Sequence, residues 1–280
     1  MEIIMSNFPN RFWVVAAACL AVLLAGPGVA KALVLDWNTA TWSNASMDSG
    51  GVVSNSFDVN PVPDGVQDIT VTLTPKSNVW DTDQAAGAGT LTPVVNNTLT
   101  GGLGASNQSL NLSADLHTNS DLTVRMSFTG AQPGANNVSF TIFDIDLTAD
   151  RDLISNIYGV APDGTHIAAT ITNLGPTVLL NGLGLTYTLT SNVASPDNSS
   201  LGNATISFGS TLITDVYFTF GNSSGPPRYQ NIGIGDVSFT PVPEINPAIA
   251  SVVSCVFAVG LTVFLQRRRK LKLSATTLPS

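Results

Sequence analysis

The sequence predicts an all-β protein: an antiparallel β-sandwich or jelly-roll ectodomain, preceded by an N-terminal signal helix and followed by one C-terminal transmembrane helix. Short segments between residues 33 and 240 alternate apolar residues with Thr or Ser, as half-buried strands do. Turn residues separate these segments, and no stretch carries an apolar stripe of period 3.6. Uncharged apolar runs at the two ends predict the two helices.

The first 32 residues have the pattern of a cleavable signal peptide. A polar start ending in Arg11 precedes an apolar run from Phe12 to Leu24. This run is shorter than the roughly 20 residues that cross a membrane, so an uncleaved anchor is the weaker alternative. Ala30 and Ala32 supply the small residues of a cleavage site, and we expect cleavage after Ala32. Export from the cytoplasm follows from this pattern.

The predicted ectodomain comprises residues 33–240, in which residues 121–240 contain the clearest strands. The part from 33 to 120 is richer in Gly, Asn and Ser, and a small separate subdomain there is an open alternative. Strict alternation predicts strands over residues 69–74, 122–128, 185–190, 204–208 and 216–220.

The last strand requires an irregularity. Ile232 and Ile234 have one parity, whereas Val237 and Phe239 have the other. All four can face one core only if an extra residue is inserted between the two pairs. We therefore predict a β-bulge near Gly235 and Asp236.

The composition of residues 33–240 restricts the class of partner. This stretch holds four basic residues and 17 Asp but no Glu, which gives a formal net charge of −13. Such a domain repels phosphate backbones, so we expect no nucleic-acid partner. Both cysteines, Cys19 and Cys255, lie outside it, which excludes internal disulfides and a Cys-based zinc site.

The C-terminal region combines a short motif, an apolar segment and a basic cluster. Residues 241–246 form a Pro-rich linker, and residues 247–265 are uncharged and long enough to span the hydrocarbon core as a helix. The basic cluster within the tail, residues 266–280, places that tail in the cytoplasm and the ectodomain outside. A plain single-span anchor accounts for these features by itself.

A more specific interpretation comes from a resemblance. Val242, Pro243 and Glu244, followed by the apolar helix and the arginines Arg267, Arg268 and Arg269, resemble the PEP-CTERM sorting signal of Gram-negative surface proteins. The resemblance implies recognition and cleavage by an exosortase-type transpeptidase, with exopolysaccharide as a further candidate partner. It also implies an inner-membrane-anchored precursor that reaches the cell surface or extracellular matrix. Ile245 stands where the family has a second proline, and Leu271–Ser280 extends beyond the basic cluster.

One strand is predicted to end in carboxylates. Asp144 and Asp146 share the parity of Val138, Phe140 and Ile142, so they extend an apolar row. Two interpretations are open: a structural calcium site formed by Asp144, Asp146, Asp150 and Asp236, or solvated and turn-capping residues at the sandwich rim. No cofactor other than this calcium is expected.

The sequence predicts only the general class of function. The architecture favours a non-catalytic surface or matrix protein. The alternative is a carbohydrate-binding module or adhesin, which requires Trp or Tyr residues along one exposed face; the candidates considered are Trp37, Trp42, Trp80 and Tyr229. A hydrolase would instead require two carboxylates that converge in a cleft.

Overall fold

The structure, a computed structural model, describes residues 31–42, 51–61, 63–76, 93–116, 121–128, 134–147, 151–223 and 228–242. These residues belong to one compact unit, Ala30–Val242. Within these ranges no helix has the length and apolar character to cross a membrane, and the predicted signal helix and transmembrane segment lie outside them.

Sixteen strands and one 3₁₀ turn make up the described part of the chain. In chain order they are β1 (Leu33–Leu35), β2 (Val53–Phe57), β3 (Ile69–Pro75), β4 (Val94–Asn96), β5 (Ser109–Leu116), β6 (Asp121–Ser127), β7 (Ala135–Phe143), β8 (Asp152–Val160), β9 (His166–Ala168), β10 (Thr170–Thr172), β11 (Val178–Asn181), the 3₁₀ turn Gly184–Thr186, β12 (Thr188–Ser191), β13 (Ala204–Ser207), β14 (Asp215–Asn222), β15 (Arg228–Ile234) and β16 (Val237–Pro241).

The strands form two antiparallel sheets of eight strands each. The first sheet has the order β1-β16-β7-β15-β5-β4, with β13 also paired to β7 and β10 paired to β13. The second has the order β11-β12-β8-β14-β6-β3-β2, with β9 paired to β8. Strands from residues 33–120 and from residues 121–240 therefore occur in both sheets, which confirms the all-β antiparallel class predicted from the sequence.

The two sheets pack face to face over one apolar core. Phe140 of the first sheet stacks on Phe218 of the second with ring centroids 5.9 Å apart. Trp37, next to β1, is fully buried and makes an edge contact with Phe57 of the second sheet at 5.6 Å. Burial of each such side chain contributes about 1.5–3 kcal/mol, which allows a domain without disulfides to be stable.

The predicted bulge in the last strand is confirmed. Ile234 pairs with Ile142 of β7, whereas Ser238 pairs with Ser139, so four steps on one strand match three on the other. The extra residue brings Ile232, Ile234, Val237 and Phe239 into the same core, where each is at most 1% exposed.

One predicted strand is wrong in part. The alternation over 185–190 predicts a strand, but Gly184–Thr186 is a 3₁₀ turn and β12 begins only at Thr188. Gly182 and Gly184 adopt φ values of +83° and +60°, which end extended structure there. Leu183 and Leu185 are consequently exposed instead of buried.

Candidate functional site

The solvent face of the second sheet carries three stacked aromatic rings, which we call the aromatic column: His166, Tyr158 and Tyr217. The His166 and Tyr158 ring centroids are 4.3 Å apart with an interplanar angle of 22°. Tyr158 and Tyr217 follow at 5.2 Å and 16°. Arg125 continues the row, with its guanidinium carbon 5.7 Å from the Tyr217 ring centroid.

The register in which the strands pair places the side chains of the aromatic column next to one another. Tyr217 of β14 lies directly opposite Tyr158 of β8 on one side and opposite Arg125 of β6 on the other. His166 of β9 lies opposite Val160, one diagonal step from Tyr158. Side chains at directly opposed and diagonal positions on one sheet face are within reach of each other, so the row crosses four adjacent strands.

A bulge in β8 decides which way Tyr158 faces. Between the pairs Tyr217–Tyr158 and Thr219–Ser155, β8 contains one residue more than β14. Asn156 occupies this region with φ +51°, a left-handed conformation that Asn tolerates better than most residues. Ile154 before the bulge and Ile157 after it are both fully buried, so Tyr158 is directed to the outer face.

An ion pair fixes the Arg125 end of the row. Arg125 Nε donates a hydrogen bond to Asp215 Oδ1 at 2.8 Å, and its Nη2 lies 2.8 Å from the same oxygen. Ser127 and Thr214 also donate to the Asp215 carboxylate. Partial burial raises the pKa of the neighbouring Tyr217 hydroxyl above its usual value, an effect that the positive charge of Arg125 opposes. Tyr217 therefore remains a neutral hydrogen-bonding group across the physiological pH range.

The column combines apolar ring surface with polar groups in contact with solvent. Tyr158 and Tyr217 are half-buried, whereas His166 and Arg125 are exposed. Aromatic rings with a polar handle suit ligands that have both an apolar face and hydroxyl groups. Cross-strand stacking also stabilises the sheet by about 0.2–1 kcal/mol per pair, so the column has a structural effect in any case.

Two of the aromatic platforms proposed from the sequence, Trp37 and Trp42, do not form such a face. Trp37 is fully buried and donates its indole N–H to the Gly235 carbonyl at 3.0 Å. Trp42 is half-buried and packs against the core beside Phe57. Trp80 and the side chain of Tyr229 lie outside the described residues.

The carboxylates at the end of β7 are buried. Asp144 and Asp146 are each 6% exposed, so neither is solvated; the turn-capping part of that interpretation is compatible with Asp146, which accepts a loop amide. Asp146 Oδ2 accepts a hydrogen bond from the Ser195 amide at 3.0 Å. The Asp146 amide in turn donates to Asp152 Oδ2 at 3.0 Å. Asp146 thus joins the end of β7 to the loop that contains Ser195.

Asp144 has an unusual environment. Its φ of +63° ends the strand at Phe143. Burial, together with the nearby charges of Asp146 and Asp197, raises the pKa of its carboxyl group to about 8. The Ser195 hydroxyl lowers this pKa in part and so lies close to the carboxyl group, but Asp144 Oδ1 and Ser195 Oγ are both buried without a hydrogen bond of regular geometry.

The four aspartates predicted to bind calcium are only partly described by the structure. Asp236 Oδ1 accepts a hydrogen bond from the Trp37 amide at 3.0 Å, and its carboxylate interacts electrostatically with Asp36. Asp150 lies outside the described residues. In the part of the chain that is described, no three His, Cys, Asp or Glu side chains are grouped so that they could hold a metal ion. The calcium site of Asp144, Asp146, Asp150 and Asp236 therefore stays a prediction, of which the structure describes Asp144 and Asp146 as buried residues at the end of β7.

A separate cleft of about 460 Å³ lies beside β1 and β2 and includes Asp36 and Asp58. Asp36 Oδ1 accepts hydrogen bonds from Asn38, and Asp58 accepts from the amides of Asn60 and Gly65. Both carboxylates therefore stabilise local turns, and this cleft has the features of a structural surface depression.

The residues of the sorting and cleavage predictions lie mostly beyond the described ranges. Val242 donates its amide to the Gly134 carbonyl at 3.1 Å, and Ala32 is exposed just before β1. Ala30, Pro243, Glu244 and Arg267–Arg269 lie outside the description.

These observations define an antiparallel two-sheet protein with an aromatic solvent face and a buried acidic strand end. No family model matches the chain, and no curated protein does. Among solved structures, it is similar to the family 11 carbohydrate-binding module from Clostridium thermocellum in complex with a β-1,3-1,4-mixed-linked tetrasaccharide, at 12% identity and a TM-score of 0.29, covering 78% of this chain and 99% of that chain. The family 11 module of the cellulosomal cellulase Lic26A-Cel5E of Clostridium thermocellum gives 10% identity and a TM-score of 0.29, covering 78% and 98%. With TM-scores this low, these likenesses assign neither a family nor a function to the chain.

Proposed function

We propose that this chain is an exported, non-catalytic protein whose β-sandwich binds a polysaccharide across the aromatic column. The observation that supports this proposal is the row His166–Tyr158–Tyr217–Arg125 on the solvent face of one sheet. The binding surface crosses four strands, so an extended chain of sugars is a better match for it than a single small molecule.

Two physical features favour a carbohydrate over other ligands. Each pyranose ring has an apolar C–H face that packs against aromatic surface and a rim of hydroxyls that bind polar groups. The column supplies both, with Tyr hydroxyls, an imidazole and a guanidinium beside the rings. The acidity of the domain disfavours polyanionic chains, so neutral polysaccharides are the expected class.

A glycan array tests this proposal. The full-length protein is solubilised in a zwitterionic detergent without a sugar headgroup and screened against neutral polysaccharides and their oligosaccharides. We expect binding to a defined set of neutral glycans, and we expect Tyr158→Ala and Tyr217→Ala each to weaken it at least about tenfold, or about 1.4 kcal/mol. Thr170→Ala, an exposed change on the other sheet, serves as the matched control. Retained affinity in both Tyr variants would contradict the assignment of the site.

We also propose that the C-terminal tail sorts the protein to the cell surface as an exosortase substrate. The support is the sequence order Val242-Pro243-Glu244, uncharged segment and Arg cluster. Mass spectrometry of the mature protein from its native host tests this proposal. A C-terminus near Glu244 is expected, whereas an intact Ser280 in the surface-exposed protein would identify a plain membrane anchor instead.

The absence of catalysis is part of the same proposal, and it has its own test. The purified protein is incubated with each glycan that it binds, and the reducing ends are quantified over a day. We expect no increase above the buffer control. Turnover that disappears in Asp144→Asn or Asp58→Asn would refute the non-catalytic assignment.

A further inference from the structure

The end of β7 and the loop 191–203 enclose the buried acidic site. The Ile145 amide donates to the Gly202 carbonyl at 2.8 Å, and the Leu147 amide donates to the Val193 carbonyl at 3.2 Å. Gly202 is packed so closely that an added Cβ would lie 2.9 Å from Ser195 Oγ and 3.0 Å from the Ile145 main chain. The segments are therefore held together by the backbone, independently of the carboxylates.

Negative charge accumulates at this junction. Asp146 and Asp197 both act electrostatically on Asp144. Placing a carboxylate in a buried site costs several kcal/mol unless a positive charge or hydrogen-bond donors compensate for it.

Two oxygens at the same junction lack partners. Asp144 Oδ1 and Ser195 Oγ form no regular hydrogen bond with the described residues. Both atoms are buried, and Asp144 as a whole is only 6% exposed. Buried oxygens almost always have a partner, and an unfilled ion position is one of the recognised reasons for an exception. The junction thus combines two buried oxygens that lack a regular hydrogen bond with three neighbouring carboxyl groups, those of Asp144, Asp146 and Asp197.

We propose that Asp144, Asp146 and Ser195 Oγ bind a calcium ion at this junction, with Asp197 contributing further negative charge. The donor set consists only of oxygens, which selects a hard cation over zinc or copper. Since no third carboxylate among the described residues completes the group, we expect main-chain carbonyls and water as the remaining ligands. Calcium tolerates such an irregular set, whereas magnesium requires near-ideal octahedral geometry.

The inference does not depend on glycan binding, because it concerns the junction of β7 with the loop 191–203 and no residue of the aromatic column. Its expected role is structural: the ion neutralises the junction and joins the end of β7 to that loop. Protein without the ion should therefore fold but unfold at a lower temperature.

The test measures the melting temperature of the full-length protein, in the same detergent at pH 8.5, with EDTA, with calcium chloride and with magnesium chloride. We expect calcium at about a hundredfold excess over its Kd to raise the Tm by at least about 5 °C. Isothermal titration calorimetry should give a calcium site that Asp144→Asn removes. In Asp144→Asn the calcium-dependent Tm shift should also disappear, whereas the exposed control Asp163→Asn should keep it.

Three results would overturn the proposal: the same Tm in EDTA and in calcium, an equal shift with magnesium, or an unchanged calcium shift in Asp144→Asn. Ser195→Ala provides a second variant that removes one ligand without altering charge. We expect it to weaken calcium binding at least about threefold; unaltered affinity would exclude Ser195 Oγ as a ligand.

Discussion

Asp144→Asn should stabilise the metal-free protein at neutral and alkaline pH. Asn has nearly the shape of the protonated carboxyl group and does not ionise, so the variant removes only the cost of the buried charge. Because burial and two neighbouring carboxylates hold the pKa of Asp144 at about 8, against 3.8 for an exposed Asp, the folded state binds a proton that the unfolded chain has released.

The direction and size of the change in stability follow from the difference in the pKa of Asp144 between the folded and the unfolded state. A raised carboxyl pKa contributes stability that is fully present below pH 3.8 and is lost as the pH rises towards 8. Between these values the loss is about 1.4 kcal/mol per pH unit. Relative to the wild type, the advantage of Asp144→Asn should therefore grow with pH, reaching up to about 4 kcal/mol at pH 7 and levelling off above pH 8 at up to about 6 kcal/mol.

The assay is urea unfolding at pH values from 4 to 9, in EDTA, with the free energy of unfolding compared between variant and wild type. Asp163→Asn is the matched control, because Asp163 is exposed and hydrogen bonds from Thr165 lower its pKa. That variant should lose stability at neutral pH instead of gaining it. A difference between Asp144→Asn and the wild type that does not vary with pH would refute the assigned environment of Asp144.

Two further substitutions test the fold around the sites. Asn156→Val should destabilise the protein by about 1–2 kcal/mol, because a β-branched residue is strained at φ +51°. Asn156→Gly should be close to the wild type in stability. Equal losses of stability in the two variants, measured by urea unfolding, would argue against the bulge. Asp236→Ala should lower the free energy of unfolding by about 1–2 kcal/mol, since it leaves the amide of Trp37 without its acceptor. An unchanged midpoint of thermal unfolding would contradict this role of Asp236.

The sequence predicts much of the fold because alternation and turn residues act locally. The strands at 69–75 and 204–207 match their predicted positions to within a residue. The bulge after Ile234 was predictable because a change of apolar parity can be read directly along one strand. Leu185 was misplaced because the sequence does not reveal that the glycines on either side of Leu183 adopt left-handed conformations.

The aromatic column was only partly predictable. Tyr217 lies between Val216 and Phe218, on the polar parity of an alternating strand, so its outward position could have been found. Tyr158 has the parity of the buried Ile154, and only the bulge at Asn156 reverses this relation. His166 is exposed, and its stacking on Tyr158 depends on pairing between strands, which the sequence does not show.

The buried carboxyl groups at the end of β7 were likewise only partly predictable from the sequence. Asp144 and Asp146 are buried, but β7 ends at Phe143 and Ile145 is buried too, so alternation along the strand does not account for their burial. The contribution of Ser195 and Asp197 comes from a loop some 50 residues later, and its approach depends on the packing of Gly202 against Ile145. The hydrogen bond from the Trp37 amide to Asp236 joins residues 199 positions apart, so the sequence alone could not predict it.

Nuclear magnetic resonance of the tyrosine rings tests the binding claim most directly, because the chain contains only four tyrosines. The full-length protein is labelled with ¹³C-tyrosine and titrated with the neutral glycan selected on the array. The signals of Tyr158 and Tyr217 should shift with a common saturation curve, whereas that of Tyr187, which packs against the core, should not. Saturating glycan that leaves both Tyr158 and Tyr217 unperturbed would contradict the proposed function.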